Sequence, residues 1–329
     1  MAAGAGDVHK GIARARGIAE TGGKTGSGQM NAKQIFIHAG AHRTGTSSFQ
    51  NCLAQNRAAL ESEGFDLAYP GRDGAPGGRL RLRLPQPRDG RHGRERFELL
   101  CRESLRGHSP DPARALILSE ENIPGRMNFR AGRMFPLVDL RAAMLGRAIA
   151  ATEADWGVPA EVVHLVYVVR PFDELFVSAF LRWAEDRPAI PFADAVPKMV
   201  AFKGSWHRTV QALRDGLRPV RLSVVEYGRR GESRDLLARL VGGEAARFGE
   251  PGRNLNVSPG DAALFALQEK YHAGETVTPE EKQRIVEAGE GQESPAFAAF
   301  SPAQVKRLRE RYARDLEQVA ALEGVEFIA

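Results

Sequence analysis

The sequence predicts an α/β protein, a three-layer sandwich in which helices cover both faces of a mostly parallel central sheet. Two segments carry this prediction. Residues 34–50 begin with a short apolar run, turn through glycines and continue with a helical pattern. Residues 162–169 form a β-branched apolar run that ends at Arg170 and Pro171, where a second helical pattern begins at once. Strands that alternate with helices are typical of parallel sheets, because each parallel strand reaches the next through a crossover helix.

The amino-terminal segment, residues 1–32, is rich in glycine, alanine and threonine and lacks apolar periodicity, which predicts a disordered leader. Met30, just before the first predicted strand, is an alternative start site. Residues 33–329 are expected to form a single domain, because a composition of 43% hydrophobic and 26% charged residues is ordinary for a globular chain.

Residues 34–50 predict a strand, an anion-binding loop and a helix. Gly40 and Gly45 would let the backbone turn tightly and approach a ligand closely. The first backbone amides of the helix have no partner within it, and the positive end of the helix dipole favours an anion there. Arg43 would add donors aimed at the same place. Small hydroxyl residues follow it, namely Thr44, Thr46, Ser47 and Ser48.

The loop differs from that of a P-loop nucleoside triphosphatase, which reads G-x-x-x-x-G-K-[ST]. Thr46 replaces the lysine, and the cation comes before the second glycine as Arg43. This arrangement resembles the 5′-phosphosulfate loop of sulfotransferases that use 3′-phosphoadenosine 5′-phosphosulfate (PAPS), which in bacterial carbohydrate-type members reads approximately H-x-G-x-x-K-T-G-T-T-S-x-Q. Arg43 replaces its lysine and Ser47 a threonine. The residues that match are His38, Gly40, Thr44, Gly45, Thr46, Ser48 and Gln50.

A second pair of residues supports the same resemblance. Arg170 follows the apolar run 162–169, and Ser178 lies on the predicted helix that comes next. Their order and spacing resemble the Arg…Ser pair with which sulfotransferases hold the 3′-phosphate of PAPS. The resemblance therefore implies that both residues bind the nucleotide.

Weaker likenesses follow in chain order. Residues 115–118 read as a buried strand followed by Ser-Glu-Glu-Asn, similar to the family's S-S-E segment, whose glutamate matches Glu121. Residues 220–225 read as a strand followed by Glu-Tyr, a partial match to a Tyr-Glu-Asp turn. Residues 253–258 resemble an R-x-x-N-x-S segment, which implies that Arg253 lies near the nucleotide.

The resemblance implies a P-loop-like sulfotransferase fold and an enzyme that moves a sulfuryl group from PAPS to an acceptor hydroxyl by in-line displacement. The nucleotide product would be 3′-phosphoadenosine 5′-phosphate (PAP), and no metal is required. Arg43 and the loop amides would stabilise charge on the leaving phosphate. The acceptor must lose a proton, and the candidates for general base are Glu121, then Glu120, then His42. Because these residues and Arg170 follow predicted strands, we expect them to gather at the carboxyl edge of the sheet.

The net charge of +5 suits an anionic co-substrate and an anionic or polar acceptor, such as a glycan or another small molecule. A nucleic acid partner is not expected, because the chain has neither zinc-finger spacing nor an RNP-like aromatic string. Residues 70–114 are rich in glycine and arginine and predict an irregular basic insertion. It would either cover the site as a lid or acceptor loop or form a solvated basic loop. Within it, Arg79, Arg81 and Arg83 alternate with leucines, which suggests an edge strand.

Cys52 and Cys101 offer no disulfide framework, which favours a reducing compartment. No run approaches the roughly 18 apolar residues of a membrane span, and no secretory signal is evident. A cytoplasmic, bacterial enzyme is therefore expected. No Cys/His cluster suggests a metal site. The oligomeric state cannot be read from the sequence.

Amphipathic patterns predict further helices, with Thr278 and Ser301 as amino-terminal caps ahead of Pro279 and Pro302. One of them, residues 191–216, is expected to break near Pro197 and Gly204. The predicted helical ranges are 134–152, 191–216, 261–272, 279–288 and 302–322.

Two other functions fit part of the pattern. A P-loop kinase or nucleotidase would need a loop lysine and an acidic strand end that holds Mg²⁺; the lysine is missing, although Glu120 or Glu121 could supply the acid. A non-catalytic relative that binds PAP or a glycan would retain the phosphate loop without a working base. Turnover of ATP with magnesium would reveal the first, and PAP binding without transfer the second.

Overall fold

The computed structural model describes residues 32–71, 75–82, 90–252 and 258–329. Its centre is a six-stranded sheet of order β2-β3-β1-β4-β5-β6, in which every pair of neighbouring strands is parallel. The strands are β1 Lys33–His38, β2 Phe65–Ala68, β3 Ala115–Ser119, β4 Ala160–Val169, β5 Arg221–Glu226 and β6 Val325–Ile328. After β1 the chain adds β2 and β3 on one side of that strand, and it then crosses to add β4, β5 and β6 on the other side. The direction in which strands are added therefore reverses beside β1.

Helices connect these strands and cover both faces of the sheet. They are α1 Thr46–Gln55, α2 Arg57–Ser62, α3 Arg91–His108, α4 Val138–Trp156, α5 Phe172–Ala184, α6 Phe192–Val200, α7 Trp206–Leu217, α8 Ser233–Val241, α9 Asp261–His272, α10 Pro279–Ala288 and α11 Pro302–Ala320. No helix among the described residues is long and apolar enough to cross a membrane.

Alternate residues of each strand point to opposite faces, so the buried runs supply two cores. Ile35 and Leu165 point to the face covered by α3, α4 and α7, whereas Phe36 and Val166 point to the face covered by α1 and α8. Because both faces are buried, the central strands are mainly apolar. The predicted α/β class, with helices on both sides of a parallel sheet, is confirmed.

Most predicted elements are confirmed with boundary shifts of a few residues. Thr278 and Ser301 cap α10 and α11, because their hydroxyls accept hydrogen bonds from the backbone N–H groups of Glu281 and Gln304. The segment 191–216 breaks near Gly204, whose φ is 110°, but α6 runs through Pro197. The sequence analysis missed β2 and β6, which are four residues each and too short to give a clear pattern.

The prediction that residues 70–114 are irregular was wrong over its second half, which forms α3. The helical pattern of α3 is hard to recognise among its many arginines, because only one narrow stripe is apolar. The stripe is buried against the rest of the core and consists of Phe97, Cys101 and Leu105. The predicted edge strand is reduced to a single antiparallel bridge between Pro70 and Arg79. The leader before Ala32, Arg83 and Arg253 lie outside the described residues.

Candidate functional site

The loop between β1 and α1 has a left-handed backbone at Gly40, Arg43 and Gly45, with φ values of 34°, 70° and 91°. A tight turn is therefore built into this segment, with glycine at two of the three positions. Ala41 closes the turn, because its N–H and carbonyl oxygen both bond to the Thr44 hydroxyl, at 3.1 and 2.8 Å.

The hydroxyls of Thr44 and Thr46, two of the residues predicted to bind the ligand, bond to the backbone of the loop. Both side chains are buried, and the Thr46 hydroxyl also donates to the Ala41 carbonyl, at 3.2 Å. Ser47 and Ser48 are half-buried at the start of α1. The hydroxyl run therefore divides into two threonines that shape the loop and two serines nearer its surface.

The amino end of α1 carries positive charge without compensation. Gly45 is its N-cap residue, no side chain of the described residues caps it, and its first turn contains no acidic residue. The first amides of a helix have no partner within it, and both these amides and the helix dipole favour an anion at this point.

Arg43, Arg170 and Ser178 lie together, as their positions after β1 and β4 predict. The Arg43 Nε donates to Ser178 Oγ at 2.8 Å, and its Nη2 lies 3.4 Å from Ser258 Oγ. The Arg170 Nη1 donates to the Arg43 carbonyl oxygen at 2.9 Å, and its Nε pairs with Glu174 at 3.3 Å. Burial lowers the pKa of Arg43, and the nearby Glu185 carboxylate acts in the opposite direction.

The turn after β5 brings two further side chains to this edge. The Tyr227 ring lies beneath Arg170, with the guanidinium carbon 4.3 Å from the ring centroid. Arg230 also contacts that ring, at 4.9 Å, and its guanidinium lies against Gly45. The sequence analysis included Tyr227 and missed Arg230. The only signal for Arg230 was a Gly-Arg-Arg-Gly turn after the strand, which by itself looks like a solvated loop.

The acidic candidates form a second cluster, on the β3 side of the loop. His42 Nε2 lies 2.9 Å from Asn122 Oδ1, and its Nδ1 lies 3.3 Å from Glu121 Oε1. Glu120 is fully buried, and one of its oxygens accepts both the backbone and the side-chain N–H of Asn122, each at 2.9 Å. Glu121 thus faces the loop histidine, whereas Glu120 orients the neighbouring asparagine.

His38, at the end of β1, lies beneath the loop. Its Nδ1 is 3.1 Å from Ser119 Oγ, while its Nε2 is buried and has no hydrogen-bond partner among the described residues. Burial, together with the charge of Arg230, lowers the pKa of His38 to about 3, so the ring is neutral. Only one of the two ring nitrogens of His38 is therefore satisfied among the described residues.

Within the described residues, no group of His, Cys, Asp or Glu side chains could hold a metal ion. No protein-family model matches the chain, and no curated protein sequence matches it. The geometry at the carboxyl edge of the sheet is therefore the basis for assigning a function.

Proposed function

We propose that the protein transfers a sulfuryl group from PAPS to an acceptor hydroxyl and releases PAP. The observation that carries the proposal is the convergence of Arg43, Arg170 and Ser178 beside the uncapped amino end of α1. A nucleotide with phosphates on both its 3′ and 5′ oxygens needs two anion sites close together. The amino end of α1 would supply one of them, and Arg170 after β4 with Ser178 on α5 would supply the other.

Arg43 is suited to bind an anion because its present partners are neutral. Its guanidinium donates to the hydroxyls of Ser178 and Ser258 rather than to a carboxylate. A phosphate could therefore gain the full charge of Arg43 without breaking an ion pair. Its position in the loop supports a role in neutralising the leaving phosphate.

The reaction needs a base on the acceptor side. The acceptor oxygen attacks sulfur, the bond from sulfur to the bridging phosphate oxygen breaks, and its electron pair stays on that oxygen of PAP. The acceptor hydroxyl loses its proton in the process, so a carboxylate or imidazole must receive it. Glu121 and His42 are the two groups that lie in contact beside the loop.

The hydrogen bonds around Asn122 favour Glu121 for this role. The side-chain nitrogen of Asn122 donates to Glu120, and this bond turns the side-chain oxygen of Asn122 toward His42. Because an amide oxygen only accepts, His42 Nε2 must donate to it. His42 Nδ1 then faces Glu121 Oε1, which is 3.3 Å away. Glu120 acts through Asn122 as a positioning residue, and Glu121 is our choice for the base.

The acceptor side is also basic. Residues 69–71 follow the carboxyl end of β2, at the same edge as the loop, and residues 75–82 expose Arg79 and Arg81 while Leu80 and Leu82 are buried. Exposed guanidinium groups at this edge of the sheet favour an acceptor that carries negative charge. A sulfated or carboxylated glycan and a small acidic alcohol both have this property.

The test is a calorimetric titration of the purified protein with PAP in the absence of magnesium, with ATP as the comparison. We expect micromolar binding of PAP and weak binding of ATP. Arg170→Ala and Ser178→Ala should each weaken PAP binding, by about tenfold or more for the arginine, because a charge-assisted hydrogen bond is lost. Absence of PAP binding by folded protein would refute the proposal.

A further inference from the structure

Arg230 is the arginine at this edge whose position the sequence did not suggest. It follows a single helical turn, Tyr227–Arg229, that begins directly after β5, and Gly231 next to it has a φ of 68°. The turn directs the chain back toward α8 and leaves the Arg230 side chain over the β1–α1 loop.

The guanidinium of Arg230 lies against the backbone of Gly45. A Cβ atom built on Gly45 would lie 2.7 Å from its Nη1 and 3.1 Å from its Cζ, so the guanidinium occupies the space of a side chain. Gly45 is the N-cap of α1, so Arg230 lies directly beside the positive end of that helix. Two positive groups held this close repel one another unless an anion lies between or beside them.

The described residues do not compensate the charge of Arg230. No carboxylate among them forms an ion pair with it, whereas Arg170 pairs with Glu174. Among the described residues, its guanidinium contacts the Tyr227 ring and Gly45. A second observation comes from below the loop, where the buried His38 Nε2 has no partner. The field of Arg230 reaches that ring, since it contributes to lowering the pKa of His38.

Arg43 and Arg230 approach the loop from different sides. Arg43 is held toward α5 by Ser178, while Arg230 lies over Gly45. We infer that Arg230 binds the 5′-phosphate of PAPS and PAP, as a second cation in the subsite that bears the sulfuryl group. This inference rests on the proposed function and adds to it a residue outside the phosphate loop.

The experiment separates the two phosphates by using truncated ligands. Binding of PAP, adenosine 5′-phosphate and adenosine 3′-phosphate is measured for the wild-type protein and for Arg230→Ala, Arg230→Lys and Arg170→Ala. The two monophosphates are measured by competition with PAP, so that weak affinities are also obtained. Arg229→Ala is the matched control, because it removes an equal charge from an exposed position on the same turn.

We expect Arg230→Ala to weaken the binding of PAP and of adenosine 5′-phosphate by about tenfold or more. Its affinity for adenosine 3′-phosphate should stay within about twofold of the wild-type value. Arg170→Ala should show the opposite selectivity. Arg230→Lys keeps the charge but not the planar fork and should lose less than alanine. Arg229→Ala should change the affinity for each of the three ligands by less than about twofold, because an exposed charge is screened.

Two results would overturn the inference while the proposed function stands. One is unchanged affinity for adenosine 5′-phosphate in both folded Arg230 variants, and the other is an equal loss for both monophosphates, which would mean that Arg230 acts only through the general field. A wild-type protein that binds none of the three nucleotides would instead refute the proposed function, and the inference with it. Thermal melting of each variant identifies any loss of fold.

Discussion

At its amino end, strand β1 begins with Lys33, a buried ammonium that donates to Ser109 Oγ and, at 2.6 Å each, to the carbonyl oxygens of Asp111 and Arg114. Asp66 completes this network, because it accepts from the Ser109 hydroxyl at 2.6 Å and from Arg114 Nε at 2.7 Å. Each buried charge at this end therefore has a partner of opposite charge or several hydrogen bonds.

The carboxyl end of the same strand has the opposite character. His38 keeps a buried nitrogen without a partner, Arg43 contacts hydroxyls in place of carboxylates, and Arg230 contacts an aromatic ring and a glycine. Satisfied buried groups stabilise a fold, whereas uncompensated groups reduce its stability and are retained where they bind something. The comparison supports the proposal that the carboxyl edge binds a ligand, while the amino edge stabilises the sheet.

The largest expected effect is on turnover at the carboxyl end. We expect Glu121→Gln to reduce sulfuryl transfer by about 10² to 10⁴-fold, because it removes the proposed base, while PAP affinity stays unchanged. The measurement is release of PAP from PAPS with a panel of hydroxyl acceptors.

Glu120→Gln is the control for this prediction. It changes the same carboxylate to an amide one position earlier, where the group is buried and holds Asn122. Its main consequence should be a loss of about 1 to 3 kcal/mol of unfolding free energy. Full turnover in Glu121→Gln combined with a large loss in a well-folded Glu120→Gln would reverse the two assignments.

The second effect tests the amino end. Lys33→Met removes the ammonium that joins the Ser109 hydroxyl to the carbonyl oxygens of Asp111 and Arg114, so we expect the unfolding free energy to fall by about 3 kcal/mol. PAP affinity should not change, since Lys33 lies at the opposite edge of the sheet. Urea unfolding and PAP titration measure the two quantities.

Lys198→Met gives the matched comparison, because that lysine is exposed on α6 and its loss should cost less than about 0.5 kcal/mol. A Lys33→Met protein as stable as the wild type would show that the buried network contributes little, and would weaken the contrast between the two ends of β1.

The smallest effect is a dependence on pH. Burial lowers the pKa of Lys33 from 10.5 to about 8, partly opposed by Asp66. Between these values the unfolded chain binds more protons than the folded chain, so the contribution of Lys33 to stability rises with pH. The difference in unfolding free energy between the wild type and Lys33→Met should therefore be larger at pH 10 than at pH 7.5. A difference that is constant across this interval would mean that burial does not lower the pKa of Lys33.

Local patterns in the sequence were sufficient for several features. The strand, glycine turn and helix of residues 34–50 could be predicted because backbone conformation there depends on neighbouring residues. The buried strands β3, β4 and β5 could be predicted because apolar β-branched runs are suited to a parallel sheet covered on both sides. The convergence of Arg43 and Arg170 followed from the rule that parallel strands end at one edge.

Other features depended on packing between distant segments. Whether Glu120 or Glu121 faces the loop was decided by one asparagine, and adjacent glutamates look alike in a sequence. The Thr44 and Thr46 hydroxyls turned inward to Ala41 because the loop had its own unpaired groups to satisfy.

Neighbouring residues in the chain were enough to predict the α/β class, the strand, turn and helix of residues 34–50, and the polar residues that follow the strands. Packing between distant segments placed Arg230 on Gly45 and turned Arg43 to Ser178. These contacts join residues more than a hundred positions apart, and they exist because the sheet order brings the ends of β1, β4 and β5 side by side.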